Sequence, residues 1–168
     1  FPKYKEKIPK AGLTLVMCKS CKLVQLKQIF STKYLYNKDY GYRTGINKTM
    51  RDHVKKVVKK LSKKSKLKNG HHVLDIASND GALLKNYKKK IITWGVDPLI
   101  AKFIKEYKNI NNKISDFFTY KSVIRKNKNV KFKIISALSV FYDLENPNFF
   151  LNDIKELLHK DGIFYLEF

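Results

Sequence analysis

The chain has 168 residues and a formal net charge of +22, a length that suits one sizeable domain or one domain with a small appendage. It contains no run of about 18 apolar residues and nothing that resembles a secretory signal, so we expect a cytoplasmic protein that does not enter a membrane. The first residue is Phe1 and the last, Phe168, lies in an apolar run. We therefore interpret the sequence as part of a longer protein.

The positive charge is carried almost wholly by lysine, because arginine occurs only at Arg43, Arg51 and Arg125. Recognition of bases and phosphates favours arginine, and the lysines are spread along the whole chain. We interpret the charge as a general lysine bias and expect no specific nucleic-acid partner, although weak binding at low salt follows from the charge. A basic, zinc-containing nucleic-acid-binding protein is the alternative.

Two cysteines, Cys18 and Cys21, have the spacing of half a tetrahedral zinc site. No second pair of this kind occurs, and the histidines lack a matching spacing. The residues alone leave a zinc site and a reduced pair of ordinary thiols open, while a redox dithiol is less supported because the flanks do not predict a βαβ unit. A short strand is predicted at Leu23–Leu26.

A tyrosine-rich segment with two glycines follows at residues 34–45. Such a loop can cover a pocket, and a phenol hydroxyl can position or deprotonate a substrate, which makes Tyr42 the candidate catalytic residue. Packing with the hydroxyls at the surface is the alternative. The apolar spacing then predicts a helix from Asn47 to Ser65.

The residues His72–Leu84 read as a strand, a tight turn and the start of a helix. In α/β sheets a ligand binds beyond the carboxyl end of such a strand, where the strand order reverses. The turn holds a single glycine, Gly81, and the carboxylates of Asp75 and Asp80, which would repel phosphate. A dinucleotide fold places several glycines here.

A cationic ligand suits this turn better than a phosphate. S-adenosylmethionine carries a sulfonium and an ammonium and has no phosphate. The candidate cofactor-binding residues are Asp75, Ala77, Ser78, Asn79, Asp80 and Gly81. Capping of the next helix by Asn79 or Asp80 is the alternative, and it does not explain Asp75.

A second acid, Asp97, follows Asp75 by 22 positions and precedes Pro98. Nucleoside-binding α/β domains place the carboxylate that accepts both ribose hydroxyls at about this spacing. The same residue can also cap a helix that begins at Pro98, and the two roles do not exclude each other. The predicted helix buries Leu99, Phe103, Ile104 and Tyr107.

A weak strand is predicted at residues 112–114, before Asp116 and Phe117. This acid and this aromatic ring can bind an adenine, through its exocyclic amine and its face respectively. Capping of the next helix by Asp116 is the alternative.

A fourth strand at Val130–Leu138 should lie beside the first, so that Ala137, Leu138 and Ser139 face the cofactor. A helix is predicted to begin at Asn146-Pro147 and to end at Asp161-Gly162. A fifth strand begins at Ile163.

These stretches resemble the class I S-adenosylmethionine-dependent methyltransferases. Within that class they are similar to the family with an N-terminal zinc-binding module that includes sugar-nucleotide C-methyltransferases. The stretches that carry the resemblance are Cys18–Leu26, Tyr40–Asn47, Leu74–Leu84, Gly95–Pro98, Val140–Leu144 and Asp161–Phe164. The run Cys-x-x-Cys-x-Leu-Val-Gln-Leu together with Ser-Asn-Asp-Gly is the most specific part.

The resemblance implies a Rossmann-like, doubly wound α/β sheet with its first five strands present, preceded by a small zinc-binding module. The zinc module would span residues 1–45, and the S-adenosylmethionine-binding domain would span residues 46–168. The implied function is C-methylation of a nucleotide-linked keto-deoxysugar. A methyltransferase of another small molecule is the alternative, because the cofactor half of the fold does not dictate the acceptor.

The resemblance also implies roles for single residues. Asp75–Gly81 would hold the methionine part of the cofactor, Asp97 its ribose, and Asp116 with Phe117 its adenine. Cys18 and Cys21 would be zinc ligands whose two partner cysteines lie upstream of Phe1.

Three departures from the family pattern are visible. Ala77 stands where the general pattern has glycine, and Asp143 stands where many relatives carry histidine. The family's Tyr/Glu/His candidates for substrate deprotonation would follow the fifth strand, so the main catalytic residues are expected outside this chain.

Overall fold

A computed structural model describes residues 10, 12–28, 31–37 and 39–168. The chain divides into two compact units, Phe1–Leu35 and Tyr36–Phe168. The division lies before the predicted boundary at residues 45 and 46. Residues 1–9, 11, 29, 30 and 38 of the predicted first domain lie outside the described residues.

The first unit contains a β-hairpin. Strands β1 (Leu15–Met17) and β2 (Val24–Leu26) pair antiparallel, and a short helix α1 (Thr32–Leu35) follows. The strand predicted at Leu23–Leu26 is therefore present as β2.

The second unit is built on five parallel strands. They are β3 (His72–Ile76), β4 (Ile92–Val96), β5 (Asn112–Ile114), β6 (Phe132–Leu138) and β7 (Leu158–Glu167). The helices of this unit are α2 (Lys48–Lys64), α3 (Tyr120–Ile124) and α4 (Pro147–Leu157). The strand order is β5-β4-β3-β6-β7.

The order of the strands reverses between β3 and β6. The chain winds outward from β3 to β5 and then returns to place β6 beside β3, with Ile76 opposite Ala137. The predicted doubly wound α/β sheet is confirmed, as is the predicted pairing of the first and fourth strands. The carboxyl ends of these two strands form the crevice where such folds bind ligands.

Apolar clusters cover both faces of the sheet. On one face, Val54, Val57, Val58 and Leu61 of α2 pack with Val73 and with residues of the β4–β5 connection. On the other face, Phe150, Ile154 and Leu157 of α4 pack against Leu74 and Ile135. This three-layer arrangement explains why the strands read as nearly continuous apolar runs.

Helix α2 begins and ends where the sequence indicates. The Asn47 side chain accepts hydrogen bonds from the main-chain N–H groups of Thr49 and Met50, and Ser65 is the C-terminal cap. The lysines of α2 at positions 55, 56, 59, 60, 63 and 64 are exposed and form a solvated face. Among the described residues, no helix is both long and apolar enough to cross a membrane.

The prediction of a helix that starts near Leu83 is wrong, because the structure has only a 3₁₀ turn at Leu84–Asn86. The Asn86 side chain donates to the carbonyl oxygens of Ala82 (2.8 Å) and Leu83 (3.3 Å). A side chain that takes these carbonyls competes with the main-chain bonds of a helix.

The predicted helix after Pro98 is also reduced to turns and a 3₁₀ segment at Ile104–Tyr107. Leu99, Phe103 and Tyr107 are buried as predicted, whereas Ile104 is exposed. A tighter turn changes which side chains share a face, so the spacing of an α-helix misplaced Ile104.

The predicted end of the last helix at Asp161-Gly162 is wrong as well. Helix α4 ends at Leu157, and Leu158 already pairs with Phe132 of β6. The pairing then shifts register and resumes at Ile163 opposite Ile134. The residues between these two pairs form an irregular start of β7.

Candidate functional site

The turn that follows β3 alternates between ordinary and left-handed backbone conformations. Ala77, Asn79 and Gly81 have φ angles of 55°, 50° and 70°. Glycine adopts such angles freely and asparagine tolerates them, but alanine does so at a cost of about 1 kcal/mol. The conformation accounts for the glycine that the general pattern has where this chain has Ala77.

The turn is tied to the loop that follows β4 by the carboxylate of Asp97. Asn79 N–H donates to Asp97 Oδ2 (2.8 Å), and Leu99 N–H donates to Asp97 Oδ1 (2.7 Å). Burial raises the pKa of Asp97, and these two hydrogen bonds oppose the rise. Each carboxylate oxygen has a second lone pair, so Asp97 keeps acceptor capacity for a ligand hydroxyl.

Asp75 lies inside the sheet, one residue before β3 ends. It is 4% exposed, and Ser136 Oγ of β6 donates to Asp75 Oδ1 over 2.6 Å. Burial raises the pKa of Asp75 to about 7, the Ser136 hydrogen bond lowers it, and the charge of Asp97 adds to the rise. The carboxyl group therefore changes protonation state near neutral pH.

Tyr107 supports the turn from the interior of the protein. Its hydroxyl donates to the carbonyl oxygen of Asn79 (2.8 Å) and lies 2.8 Å from Ser78 Oγ. Gly95 of β4 makes room for this contact, because a Cβ there would lie 2.8 Å from the Tyr107 ring and 2.9 Å from Ser78 Oγ. The ring is fully buried, so Tyr107 fixes the position of the turn relative to the core.

The segment Tyr40–Gly45, here called the strap, is hydrogen-bonded to the same turn. Asn79 Oδ1 accepts from Thr44 N–H (3.0 Å), and Asn79 Nδ2 donates to the Tyr42 carbonyl (3.1 Å). The buried Asp80 carboxylate accepts from Gly45 N–H (3.0 Å). These bonds hold the strap against the turn.

Arg43 of the strap reaches acidic groups on two sides. Its Nε lies 3.5 Å from Asp80 Oδ2, and its guanidinium donates to Glu106 Oε1 (3.1 Å). The guanidinium also lies over the ring of Phe103, 5.2 Å from its centroid. The charge of Asp80, which the sequence assigned to a cationic ligand, is therefore already balanced by Arg43.

Tyrosines and an acid lie near the strap. The Tyr36 hydroxyl donates to Asp143, which follows β6, and the rings of Tyr36 and Tyr40 lie 5.2 Å apart. Burial raises the pKa of Tyr36, and the Asp143 carboxylate adds to this rise. The pKa of Tyr40 is raised by burial and by neighbouring groups that include Tyr42 and Asp97. Tyr42 itself is 49% exposed.

The residues after β5 lie beside the loop that follows β4. Ser115 Oγ accepts from Ala101 N–H (3.3 Å), and Asp97 N–H donates to the Ile114 carbonyl (3.1 Å). Asp116 is exposed and Phe117 partly exposed. The cap of α3 is Thr119, so the alternative role of Asp116 as that cap is wrong.

At the end of β6, the predicted cofactor-facing residues differ in exposure. Ala137 is fully buried, Leu138 is partly exposed, and Ser139 has a positive φ of 53°. Ser139 N–H donates to the carbonyl of Glu167 (2.7 Å), and the Glu167 carboxylate is 2.8 Å from His53 Nε2 of α2.

In the first unit, Cys18 and Cys21 lie in the turn between β1 and β2. Cys18 N–H donates to Leu23 O (2.9 Å), Lys22 N–H donates to Cys18 O (3.0 Å), and Lys22 has a positive φ of 64°. The N–H groups of Cys21 and Ser20 lower the pKa of the Cys18 thiol. Over the described ranges, no group of three or more His, Cys, Asp or Glu residues is placed to hold a metal ion.

Comparison with known families decides the class of the second unit. A profile described as "Methyltransferase domain" matches residues 46–168. The chain belongs to this methyltransferase domain family.

Solved structures share the fold of this methyltransferase domain. They include an S-adenosylmethionine-dependent methyltransferase from Clostridium acetobutylicum (TM-score 0.54, 17% identity, 68% of this chain and 49% of that chain). A plantazolicin methyltransferase, BpumL, in complex with a pentazolic desmethylPZN analogue and SAH has a TM-score of 0.56 at 19% identity, over 74% of this chain and 49% of that one.

Coclaurine N-methyltransferase, bound to N-methylheliamine and SAH, has a TM-score of 0.50 at 18% identity and covers 66% of this chain and 34% of that chain. The present chain thus spans half or less of the length of these three structures. No curated protein matches the chain.

In this methyltransferase domain, the tertiary structure adds residues that the sequence did not single out for the site. They are Arg43, Gly95, Tyr107 and Ser136. One of them left a signal in the sequence, because Ser136 is a polar residue inside an apolar strand, and a buried hydroxyl needs a partner. The others depend on contacts between distant parts of the chain.

Proposed function

We propose that the protein is an S-adenosylmethionine-dependent methyltransferase that transfers the methyl group to carbon in a nucleotide-linked keto-deoxysugar. The observation that carries the cofactor assignment is the tie between Asn79 and Asp97, which places an acidic loop beside a turn with one glycine. Membership of the methyltransferase domain family supports the type of reaction.

The cofactor would lie along the carboxyl edge of the sheet. Asp97 and Pro98 would bind the ribose, and Asp116 and Phe117 the adenine, because β5 is the outer neighbour of β4. The turn from Ala77 to Gly81 would hold the methionine part, with Asp75 below it. The positive ammonium of the cofactor would favour the ionised form of the Asp75 carboxyl group.

The methyl group would then point toward the ends of β3 and β6. With the ribose at β4 and the adenine at β5, the remaining part of the cofactor extends to the other side of the switch point. The floor of the crevice on that side would consist of Ala137, Leu138 and Ser139. The acceptor would lie between this floor and the strap, where the exposed ring of Tyr42 can contact it.

Methyl transfer to carbon needs a carbanion or enolate beside a keto group, so a base must act close to the sulfonium carbon. Tyr42 is the proposed catalytic residue on the strap side. The Asn79 hydrogen bond to the Tyr42 carbonyl holds its backbone in place, which leaves the side chain free to meet the acceptor.

The choice of a sugar acceptor is supported by the resemblance of Cys18–Leu26 and of the strap to the sugar-nucleotide C-methyltransferases. A methyltransferase of another small molecule is the second candidate. BpumL and coclaurine N-methyltransferase, which share the fold, are complexed with a pentazolic desmethylPZN analogue and with N-methylheliamine respectively, and neither molecule is a nucleotide sugar.

The cysteine pair fits half of a zinc site. The hairpin turn presents both cysteines, and main-chain N–H groups lie toward the Cys18 sulfur, an arrangement that stabilises a thiolate. We propose that Cys18 and Cys21 supply two of four zinc ligands and that zinc has a structural role in the first unit. Loss of bound zinc in Cys18→Ser, measured by metal analysis on the longer protein that contains the chain, tests this assignment.

Isothermal titration with S-adenosylmethionine and with NAD tests the cofactor assignment. The wild-type chain should bind S-adenosylmethionine and not the pyrophosphate ligand. Asp97→Ala should weaken the binding by about tenfold or more, because two charge-assisted hydrogen bonds are lost. Asp39→Ala, a change of an exposed acid, is the matched control. Equal binding of NAD would contradict the assignment.

The acceptor is tested separately, with the longer protein that contains the chain. Incubation with S-adenosylmethionine and a nucleotide-linked 4-keto-6-deoxysugar should give a C-methylated sugar detectable by mass spectrometry. Cofactor binding without methylation of this sugar would reject the sugar assignment and leave the second candidate.

A further inference from the structure

A cavity lies at the end of the sheet opposite the candidate site. Lys64, Ser65, Lys66, Lys133, Asp161 and Ile163 line it. Lys133 is the second residue of β6, so the cavity is at the amino end of the strands. Its volume is about 310 Å³.

Lys133 is the most enclosed charge of this cavity. Its side chain is 12% exposed, and the nearest carboxylate oxygen, Asp161 Oδ2, is 3.9 Å from its ammonium. That distance is too long for a hydrogen bond, and no acceptor for the Lys133 ammonium occurs within the part of the chain that the structure describes. The ammonium is partly enclosed and still reaches solvent, and a bound anion would supply the hydrogen-bond acceptor that the described residues do not.

Ser65 adds a second donor without a partner. The residue is 5% exposed, and its Oγ makes no hydrogen bond to any described residue. Ser65 is the C-terminal cap of α2. Buried hydroxyls are nearly always hydrogen-bonded, so an orphaned one that lines a cavity indicates a ligand.

The negative end of the α2 dipole, which disfavours an anion, is weakened at this cavity. Main-chain N–H groups of Ser65, Lys66 and Leu67 donate to the carbonyl oxygens of Leu61, Lys63 and Ser62 respectively. Three of the last four carbonyl oxygens of the helix are therefore satisfied within the chain, and the charges of Lys64 and Lys66 offset the part of the dipole that remains.

The charges around the cavity are mainly positive. Lys64 and Lys66 are exposed at its rim, and the charge of Lys133 reaches His71, whose pKa is lowered first by burial and next by Lys133. The opposing carboxylate belongs to Asp161, which is 66% exposed and therefore well screened by water.

We propose that this cavity binds a phosphate group, held by Lys133 and Ser65 in the interior and by Lys64 and Lys66 at the rim. A phosphate supplies the acceptors that both interior donors lack, and its charge is balanced by the three lysines. The group can be free inorganic phosphate or the phosphate of a small ester. The site is separate from the cofactor crevice and does not depend on the proposed methyl transfer.

Isothermal titration of the 168-residue chain with inorganic phosphate, at an ionic strength of about 0.15 M, tests the proposal. The wild type should bind one phosphate with saturation. Lys133→Met should weaken binding by about tenfold or more, and Ser65→Ala by about threefold. Asp161→Asn should strengthen it, because an opposing charge is removed. Lys59→Met removes the same charge from an exposed site on α2 and should leave the affinity unchanged.

Two results would overturn the proposal: no saturable binding by the wild type, or an equal loss in Lys59→Met and Lys133→Met. If Lys133→Met does not fold, Lys64→Gln at the exposed rim replaces it as the test. This variant should weaken phosphate binding severalfold. A parallel titration with glucose 1-phosphate distinguishes the sources, since tighter binding than that of phosphate assigns an ester and weaker binding assigns the free ion.

Discussion

Asn79 binds the backbone of Tyr42, because its Nδ2 donates to the Tyr42 carbonyl oxygen over 3.1 Å. The same side chain accepts from Thr44 N–H, while the main-chain N–H of Asn79 donates to Asp97. One residue thus joins the strap, the turn after β3 and the loop after β4. A cofactor in the crevice would contact three segments that are already fixed relative to one another.

Asn79→Ala is expected to lower the free energy of unfolding by about 2 kcal/mol, because two side-chain hydrogen bonds are lost and alanine is less tolerant of the left-handed backbone. The amide of Thr44 should also exchange faster with solvent. Urea unfolding and hydrogen exchange measure these effects. Asn69→Ala, at an exposed position, should change stability by no more than about 0.5 kcal/mol. Unchanged exchange at Thr44 would argue against the tie.

Tyr107→Phe tests the support beneath the turn. The loss of the hydroxyl leaves the Asn79 carbonyl and Ser78 Oγ without their buried partner, so we expect a destabilisation of about 1–3 kcal/mol. Weaker binding of S-adenosylmethionine should accompany it. Tyr142→Phe, whose ring is 64% exposed, should change neither quantity. Unchanged stability and cofactor binding in Tyr107→Phe would show that the hydroxyl does not hold the turn.

Ala77→Gly should stabilise the protein or leave it unchanged, in contrast to most alanine-to-glycine changes. The positive φ of 55° at this position favours glycine, and relief of the strain offsets the greater freedom of glycine in the unfolded chain. Chemical denaturation of Ala77→Gly beside Ala101→Gly gives the comparison. Ala101 has no positive φ, and its replacement should destabilise by up to about 1 kcal/mol.

The stability contribution of Asp75 should depend on pH. Its pKa is about 7 in the folded protein against an ordinary value of 3.8, so between these values the folded state holds a proton that the unfolded chain has released. Stability should therefore fall as pH rises through this range, by up to about 1.4 kcal/mol per pH unit. The favourable contribution is complete below pH 4 and lost above pH 7.

Asp75→Asn removes this titration and keeps a partner for Ser136. The variant should match the wild type near pH 4 and be more stable at pH 8, as measured by urea unfolding at both values. His71 and His72, whose pKa values are lowered chiefly by burial, titrate in both proteins, so they cancel in the difference between the two curves. That difference reports the titration of Asp75 together with its effect on Asp97. A constant difference across this range would contradict the raised pKa.

Local patterns predicted the elements that depend on neighbouring residues. Helix α2 lies between Asn47 and Ser65 as predicted. Its caps and its apolar stripe all belong to one continuous segment, so the sequence of that segment suffices to predict it. The five strands were predicted, four of them from apolar runs, although β5 was only a weak prediction and β7 begins at Leu158 and not at Ile163. The predictions of two short helices were wrong. The Asn86 side chain donates to carbonyl oxygens that an α-helix would use, and the apolar spacing at residues 99–107 also fits a series of tight turns.

Local patterns located the strands, the turn after β3 and the acid after β4, because strand periodicity, a single glycine and the spacing of two acids are local properties. The doubly wound order of the strands was implied by the resemblance to a known family. The use of those acids became clear from the folded structure alone. Asp75 is enclosed with Ser136, Asp80 is balanced by Arg43, and Asp97 holds Asn79. Burial and the partners of a charged group arise from segments that are distant in the chain, so no local pattern encodes them.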